Sequence, residues 1–483
     1  MYLNQNETPI ATGLKKYVDR KVVYYDVPGH KKNVELNYLK DYFGQEVIQL
    51  DTNSSKEVDS LSHPTTIIKK SCELMANAYG ADEALLLVNG TTIGVQAMMM
   101  SVCGPKDKII LPRNIHKSAV NALILCGATP IYIQPEIHND YGVVTGISYH
   151  SVEKAIVENP DAKAIFLLNP TYYGFTTNLK EIVNLAHRHG IAVLVDEAHG
   201  AHFPFHEELP IHAMAAGADL SVASLHKTGG SLTQSSILLI REGIVNTKTV
   251  QTTLNLLQTT SASYLLLSSL DLARKNLILH GKTIIDNVLE IGREARETLN
   301  QTKNLFVYSS DFINGDTIYD YDETKFCVNV SETGYTGYEV YDMLLEQYNI
   351  QIEIADSNNI MAVLSVGDTK ESMDRLVAAL LEISNHPKEK ILSNFKTIDL
   401  NPHVVVTPRD AFFAHKKSVK IEDALGEISG ESIMVYPPGI PIISPGEKIT
   451  KEMLQYIQFV KEQNCVITDL EDPSIEYINI LSL

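Results

Sequence analysis

The sequence predicts an α/β protein built on a mostly parallel seven-stranded sheet covered on both faces. Three observations predict it. Seven short apolar runs alternate with helix-like stretches between Ala84 and Ile240. Each run is four or five residues long and free of charge except at an edge, as strands buried on both faces are. The stretches between them have helical length and pattern. Asn178 to His189, for example, carries Leu179, Ile182, Val183 and Ala186 at three-to-four spacing, with Gly190 as a stop.

The runs are, in order, Leu85–Val88, Lys108–Leu111, Pro130–Ile133, Ala164–Leu168, Ala192–Val195, Leu220–Ala223 and Ile237–Ile240. After Arg241 the pattern changes. Residues 250–300 read as helices, with a long one from Tyr264 to about Leu299. Residues 305–385 read as a small α+β unit: a strand through Lys325–Val330, a helix through Tyr338–Gln347, and strands at Ile350–Ile354 and Met361–Leu364. A polar stretch from His386 to Pro402 marks a boundary. The expected division is an N-terminal arm (1–60), a large cofactor-binding domain (61–300), a small α+β domain (301–385) and a C-terminal domain (386–483).

The chain of 483 residues is about three times a typical domain length. Its hydrophobic fraction of 44% supplies enough apolar surface for a packed core, so disorder is excluded as a description of the whole. A formal net charge of −19 argues against nucleic acid as a partner. No apolar run approaches the roughly 18 residues of a membrane span, so no membrane association is expected. The N-terminus lacks the apolar segment of a secretory signal. Five scattered cysteines form no Cys-x-x-Cys pair, which suggests a reduced, cytoplasmic chain without structural zinc.

In open α/β sheets ligands gather at the carboxyl ends of strands. Three such ends carry unusual residues. Asn89-Gly90-Thr91-Thr92 opens a helix with glycine and two hydroxyls, which suits a phosphate: backbone N–H groups and the positive dipole end attract it. It matches neither a nucleotide P-loop nor a dinucleotide fingerprint. A simple capped turn is the plainer reading of these residues alone. Asp196-Glu197-Ala198-His199-Gly200 places a carboxylate at the end of a buried strand, where it needs a cation or a donor. His199, His202 and His206 resemble a ligand set, but Pro204 breaks a helix through them and no metal is expected. Ser224-Leu225-His226-Lys227 places a lysine at a third strand end, where desolvation makes an amine a nucleophile toward carbonyls. Each string alone is weak. Together, a phosphate cradle, then Asp, then Lys is the order a pyridoxal 5'-phosphate (PLP) site needs. His116, beyond the strand Lys108–Leu111, is placed to lie against the cofactor ring.

With these residues in view, the sequence resembles the bacterial ornithine/lysine/arginine decarboxylases. The resemblance covers nearly the whole chain. It rests on Pro28-Gly29-His30-Lys31, Asn89–Thr92, Pro112–Ser118, Asn169–Gly174, Asp196–Gly200, Ser224–Lys227, Gly230–Ser236, Thr259–Tyr264 and Tyr436–Pro441. Within the family it is most like the short arginine decarboxylases of polyamine and spermidine biosynthesis. One departure stands out: relatives usually carry paired aspartates where this chain has Asp59-Ser60.

The resemblance implies the PLP-dependent transferase-like fold (fold type I) and a set of roles. Lys227 would hold the PLP aldehyde carbon, Asp196 would face the pyridine nitrogen, and His116 would stack on the ring. Thr91, Thr92, Ser224 and His226 would surround the phosphate. Thr260 would reach the phosphate of a neighbouring subunit, so a homodimer or higher homo-oligomer with sites at the subunit interface is expected. His199 would stand beside the pocket. Glu431 would meet the distal cation of a basic amino-acid substrate. His226 or Lys227 would deliver the proton to the α-carbon. The implied reaction is decarboxylation of L-arginine to agmatine and CO2. Lysine to cadaverine and ornithine to putrescine remain the alternatives within the family. A catalytically silent regulatory relative is the alternative outside catalysis, and an aminotransferase or a PLP-dependent transcription regulator is a weaker one.

Overall fold

The computed structural model describes every residue except 1–2, 34, 36–37, 139–140, 390–401, 437–439, 463–465 and 483. The Pro437–Gly439 part of the Pro/Gly motif and Cys465 therefore lie outside the described residues. The chain divides into two compact units, Met1–Ser101 with Val195–Ile285, and Val102–Leu194 with Asp286–Leu483.

The seven apolar runs are strands: β1 (Glu83–Leu87), β2 (Lys108–Pro112), β3 (Thr129–Ile133), β4 (Ala164–Leu168), β5 (Ala192–Asp196), β6 (Leu220–Ala223) and β7 (Ser236–Ile240). The chain passes from the second unit to the first within β5. The second unit has the strand order β5-β4-β2-β3. Here β2 runs parallel to both neighbours, with Ile110 opposite Ile131 and Ile165. The first unit has the order β1-β7-β6-β5. There β7 is the exception to the mostly parallel expectation: it runs antiparallel to β1 and to β6, pairing Leu238 with Leu85 and Val222. The link from β6 to β7 holds a single turn of helix, α6 (Leu225–Thr228). One turn cannot return the chain to the far end of the sheet, so β7 comes back alongside β6.

Two buried side chains anchor the N-terminus of the first unit. Helix α1 (Pro9–Asp19) begins with proline in its first turn, where no N–H partner is lost. The Ile10 N–H donates to Asp271 (2.9 Å), and the Ser71 hydroxyl donates to the same carboxylate (3.0 Å). Arg274, one turn further along a long helix, α7 (Tyr264–Asn300), donates to the Gln5 carbonyl (3.0 Å), the Gln5 side chain and the Glu7 carbonyl. Both Asp271 and Arg274 are fully buried. Arg274→Met leaves the Asp271 charge without its cation. It is expected to cost about 3–5 kcal/mol, read as a lower urea midpoint at unchanged slope.

Asp59, the surviving member of the expected acidic pair, has a structural task. Its carboxylate accepts N–H groups from Thr65 (2.9 Å), Thr66 (2.7 Å) and Ile68 (3.1 Å), at the start of α2 (Ile67–Tyr79). Burial works against its charge, but these N–H groups and that of Ser60 outweigh burial and hold its pKa below the ordinary carboxylate value. Stability from this group is therefore complete above the ordinary value and is lost as pH falls through the depressed folded value. Asp59→Asn is expected to flatten the acid limb of the stability curve below about pH 4, measured as urea midpoint against pH. The Ser60 hydroxyl lies 3.1 Å from that of Ser62, within the same loop.

The second unit also carries a small antiparallel sheet, ordered β8 (Phe306–Val307), β9 (Lys325–Asn329), β11 (Asn359–Val363), β10 (Ile354–Ala355). Most of the expected strand at Ile350–Ile354 is not a strand; only Ile354 and Ala355 pair. Helices α8 (Gly337–Tyr348) and α9 (Lys370–Asn385) bury Leu344 and Leu380 against this sheet's core. Further along come α10 (Pro408–Phe413), β12 (Lys416–Lys420), β13 (Ile433–Tyr436), β14 (Ile440–Ile443), α11 (Lys451–Glu462), β15 (Val466–Thr468) and β16 (Tyr477–Leu481). Their core gathers Ile433, Ile442, Met453, Ile457 and Ile480.

Candidate active site

Three strand ends of the first unit bring most of the expected residues together. β1 stops at Leu87, and the chain turns through Gly90, at φ +72°, into α3 (Gly90–Val102). Glycine takes that left-handed backbone without strain. The helix then lies close on the sheet: a Cβ at Gly94 would stand 2.5 Å from Val222 Cγ1 and 2.8 Å from Leu87 Cδ1. The α3 N-terminus presents Thr91, whose hydroxyl lies 3.0 Å from that of the fully buried Ser224. Thr92 beside it is exposed. Gly94→Ala is expected to lift α3 and weaken PLP binding about tenfold, measured by equilibrium dialysis.

β5 ends in Asp196, which is 8% exposed. Its carboxylate accepts the Ala198 N–H (3.1 Å). Burial pushes its pKa up, while that N–H and the Lys227 cation pull the other way. A carboxyl so placed gains from a bonded cation such as a protonated ring nitrogen. Glu197 points into different company. Its carboxylate accepts from the Ala213 N–H (2.7 Å) and the Ser221 hydroxyl (3.0 Å), which fastens the following loop to β6.

Lys227 sits on the single turn α6. Its Nζ lies 2.9 Å from Nε2 of His199, a residue 5% exposed. The neighbouring His226 donates through Nδ1 to the Ser235 carbonyl (3.0 Å), which leaves Nε2 as the acceptor of the neutral ring. The three histidines of the metal reading diverge. His199 meets Lys227, His202 packs on Phe203 (5.0 Å between centroids), and His206 Nδ1 accepts the Glu208 N–H (3.2 Å). Thr260 is exposed, and its neighbour Thr259 donates through its N–H to the Asn89 side chain (3.4 Å), at the turn into α3.

Two expected residues belong to the second unit. His116 caps α4 (Lys117–Cys126), its Nδ1 accepting the Ser118 N–H (3.2 Å). That bond leaves the proton of the neutral ring on Nε2. Glu431, expected to meet the substrate, also has bonds within the protein. It accepts the N–H groups of Asn479 (2.6 Å) and Glu471 (2.9 Å) and so anchors the C-terminal strands. The sequence carried no sign of these partners, which lie 48 and 40 residues away.

Paired hydroxyls at a helix N-terminus, a buried carboxyl in need of a cation, and an amine beside an imidazole call for one ligand with a phosphate, a basic ring nitrogen and a carbonyl carbon. The residues of the first unit fit PLP in each of these respects, and they define a PLP-dependent enzyme. Comparison with known proteins narrows the class. Residues 8–372 match the model described as Orn/Lys/Arg decarboxylase, major domain, and residues 390–467 match that of the Orn/Lys/Arg decarboxylase C-terminal domain. The chain belongs to the Orn/Lys/Arg decarboxylase family and is a PLP-dependent amino-acid decarboxylase.

It is 43% identical to an arginine decarboxylase of Bacillus subtilis over 99% of both chains, and 41% identical to one of Bacillus anthracis over 99% of this chain and 98% of that one. A lysine decarboxylase of Hafnia alvei is 22% identical, over 95% of this chain and 75% of that one. Among solved structures, the lysine decarboxylase LdcF of Francisella novicida matches with a TM-score of 0.84 at 20% identity, over 98% of this chain and 81% of that one. A ureidoglycine-glyoxylate aminotransferase of Bacillus subtilis matches with a TM-score of 0.55 at 15% identity, over 68% of this chain and 86% of that one. These matches correct the expected fold class. The fold found along 98% of this chain is that of the lysine decarboxylase LdcF, in place of the expected transferase-like fold type I.

Proposed function

We propose that this chain converts L-arginine to agmatine and CO2, as a step into polyamine synthesis. The observation that carries the substrate is the 43% identity, along 99% of both chains, to an arginine decarboxylase. Bound PLP supplies an electron sink for the pair left on the α-carbon when CO2 departs. The chain's own residues do the rest. Lys227 Nζ would hold the cofactor's aldehyde carbon. Asp196 would keep the pyridine nitrogen protonated, and that bond would offset the cost of its buried charge. Thr91, Thr92 and Ser224 would bind the phosphate, and His116 would cover the ring face. His199 Nε2, at 2.9 Å, is placed to take the proton that the Lys227 ammonium must lose before it can attack a carbonyl. Either His226 or Lys227 would deliver the proton to the α-carbon, His226 only as the doubly protonated ring, since its Nδ1 proton is engaged by the Ser235 carbonyl.

We also propose a cytoplasmic homodimer in which Thr260 of one subunit reaches the other's phosphate site. Thr260 is exposed beside the turn into α3, and the arm exposes Tyr25 (94%), Tyr38 (91%) and Tyr42 (85%), a surface that suits a second copy of the chain. No helix among the described residues is long and apolar enough to cross a membrane. Light scattering on the purified holoenzyme is expected to give at least twice the monomer mass; a monomer with full activity contradicts the dimer.

The test of substrate is kcat/KM for arginine, lysine and ornithine with added PLP. Arginine is expected to lead by about a hundredfold, as a pocket built around polar hydrogen bonds discriminates strongly. Equal or greater turnover of lysine overturns the substrate assignment. Since the Glu431 carboxylate holds backbone N–H groups, Glu431→Gln is expected to lower Tm while leaving KM for arginine within about twofold. A tenfold rise in KM at unchanged Tm restores a substrate role.

A further inference from the structure

The C-terminal segment grips the element that carries His116. Arg113, immediately after β2, is 4% exposed, and Glu447 is 1% exposed. The guanidinium donates to both carboxylate oxygens of Glu447 (2.7 and 2.9 Å), to the Ile442 carbonyl (3.0 Å) and to the Ser444 hydroxyl (3.4 Å). Its face lies 5.0 Å from the Tyr132 ring centroid. Glu447 is held in turn by the Ser444 N–H (2.9 Å). Three residues beyond Arg113, His116 caps α4. At the first turn of that helix the Lys117 ammonium lies 3.3 Å from Asp469. At its last turn Arg409, on α10, donates to the Leu125 (2.5 Å) and Ile124 (3.4 Å) carbonyls. His116 therefore rides on a short segment clamped by residues 409–469 at both ends.

A buried two-pronged ion pair gains geometry more than stability, because apolar residues of equal volume would often hold the fold as well. We propose that the Arg113–Glu447 pair is a positioning device: it fixes where the His116 ring stands. The proposal rests on the reading that His116 covers the PLP ring.

The test is a double-mutant cycle on the holoenzyme between His116→Ala and the paired replacement Arg113→Met with Glu447→Met, which leaves no orphaned buried charge. Read out are Tm, PLP affinity by equilibrium dialysis, and the visible circular dichroism of lysine-bound PLP. The paired replacement is expected to keep Tm near that of the wild type. It should weaken PLP binding about tenfold and reduce the visible ellipticity while the absorption band persists. Combined with His116→Ala it should add little further loss. Additive losses overturn the proposal, as does wild-type PLP affinity in the paired replacement. If His116→Ala itself binds PLP as the wild type does, the cofactor role of His116 fails, and the proposal falls with it. Should the paired replacement fail to fold, Arg113→Lys keeps the charge and loses the fork. The same drop in ellipticity, again non-additive with His116→Ala, then supports the proposal, and an unchanged spectrum overturns it.

Discussion

Lys227→Ala is expected to abolish the visible band of bound PLP and to lower kcat by at least about four orders of magnitude. The magnitude follows from the position of the amine. Lys227 Nζ is an amine that can join a carbonyl carbon; it lies 2.9 Å from a base, His199 Nε2, and its charge pulls down the pKa of Asp196. Alanine would remove the proposed covalent anchor but leave the Thr91–Ser224 hydroxyl pair, since that contact does not pass through residue 227. PLP should therefore still bind, more weakly and reversibly. Borohydride reduction followed by peptide mass spectrometry checks this. Wild-type protein should carry the cofactor on the peptide containing Lys227, and the variant should carry none there. Label on a different lysine would move the nucleophile elsewhere.

Asp196→Asn is expected to cost about two to three orders of magnitude in kcat, with a smaller change in PLP affinity. The carboxyl is buried, and burial raises its pKa, so the apo-protein holds it at a cost that a protonated ring nitrogen would repay. The amide keeps the volume and can still accept the Ala198 N–H, and the turn should hold. What it cannot do is stabilise the positive ring nitrogen. Spectra and kinetics together check this: a normal band with slow turnover is expected, whereas near-normal turnover would remove Asp196 from that role.

The strand ends were legible because buried strands leave uninterrupted apolar runs and the residues just beyond them stand out. Leu85–Val88, Ala192–Val195 and Leu220–Ala223 each point to a chemically unusual neighbour, and the structure places Thr91, Asp196, Ser224 and Lys227 in one unit. Strand direction was less legible. The pattern of Ile237–Ile240 is the same for a parallel or an antiparallel strand, and only the brevity of the link after β6 carried the answer. Side-chain partners far apart in sequence left no pattern at all. Glu431 reads from the sequence as a substrate acid, and nothing local showed that the N–H groups of Glu471 and Asn479 would also bond its carboxylate. Arg113 looked like one basic residue in a motif, with its partner Glu447 lying 334 residues on. His199 could be placed near the pocket, but its contact with Lys227 needed the turn at Ala198–Gly200 and helix α6 in three dimensions.

The central claim is tested most directly by offering the PLP-loaded enzyme an equimolar mixture of arginine, lysine and ornithine and quantifying the amines formed. The account predicts agmatine in at least about a hundredfold excess over cadaverine and putrescine, matched mole for mole by CO2. Cadaverine or putrescine as the main product would contradict the arginine assignment, and no amine from any of the three would contradict the decarboxylase itself.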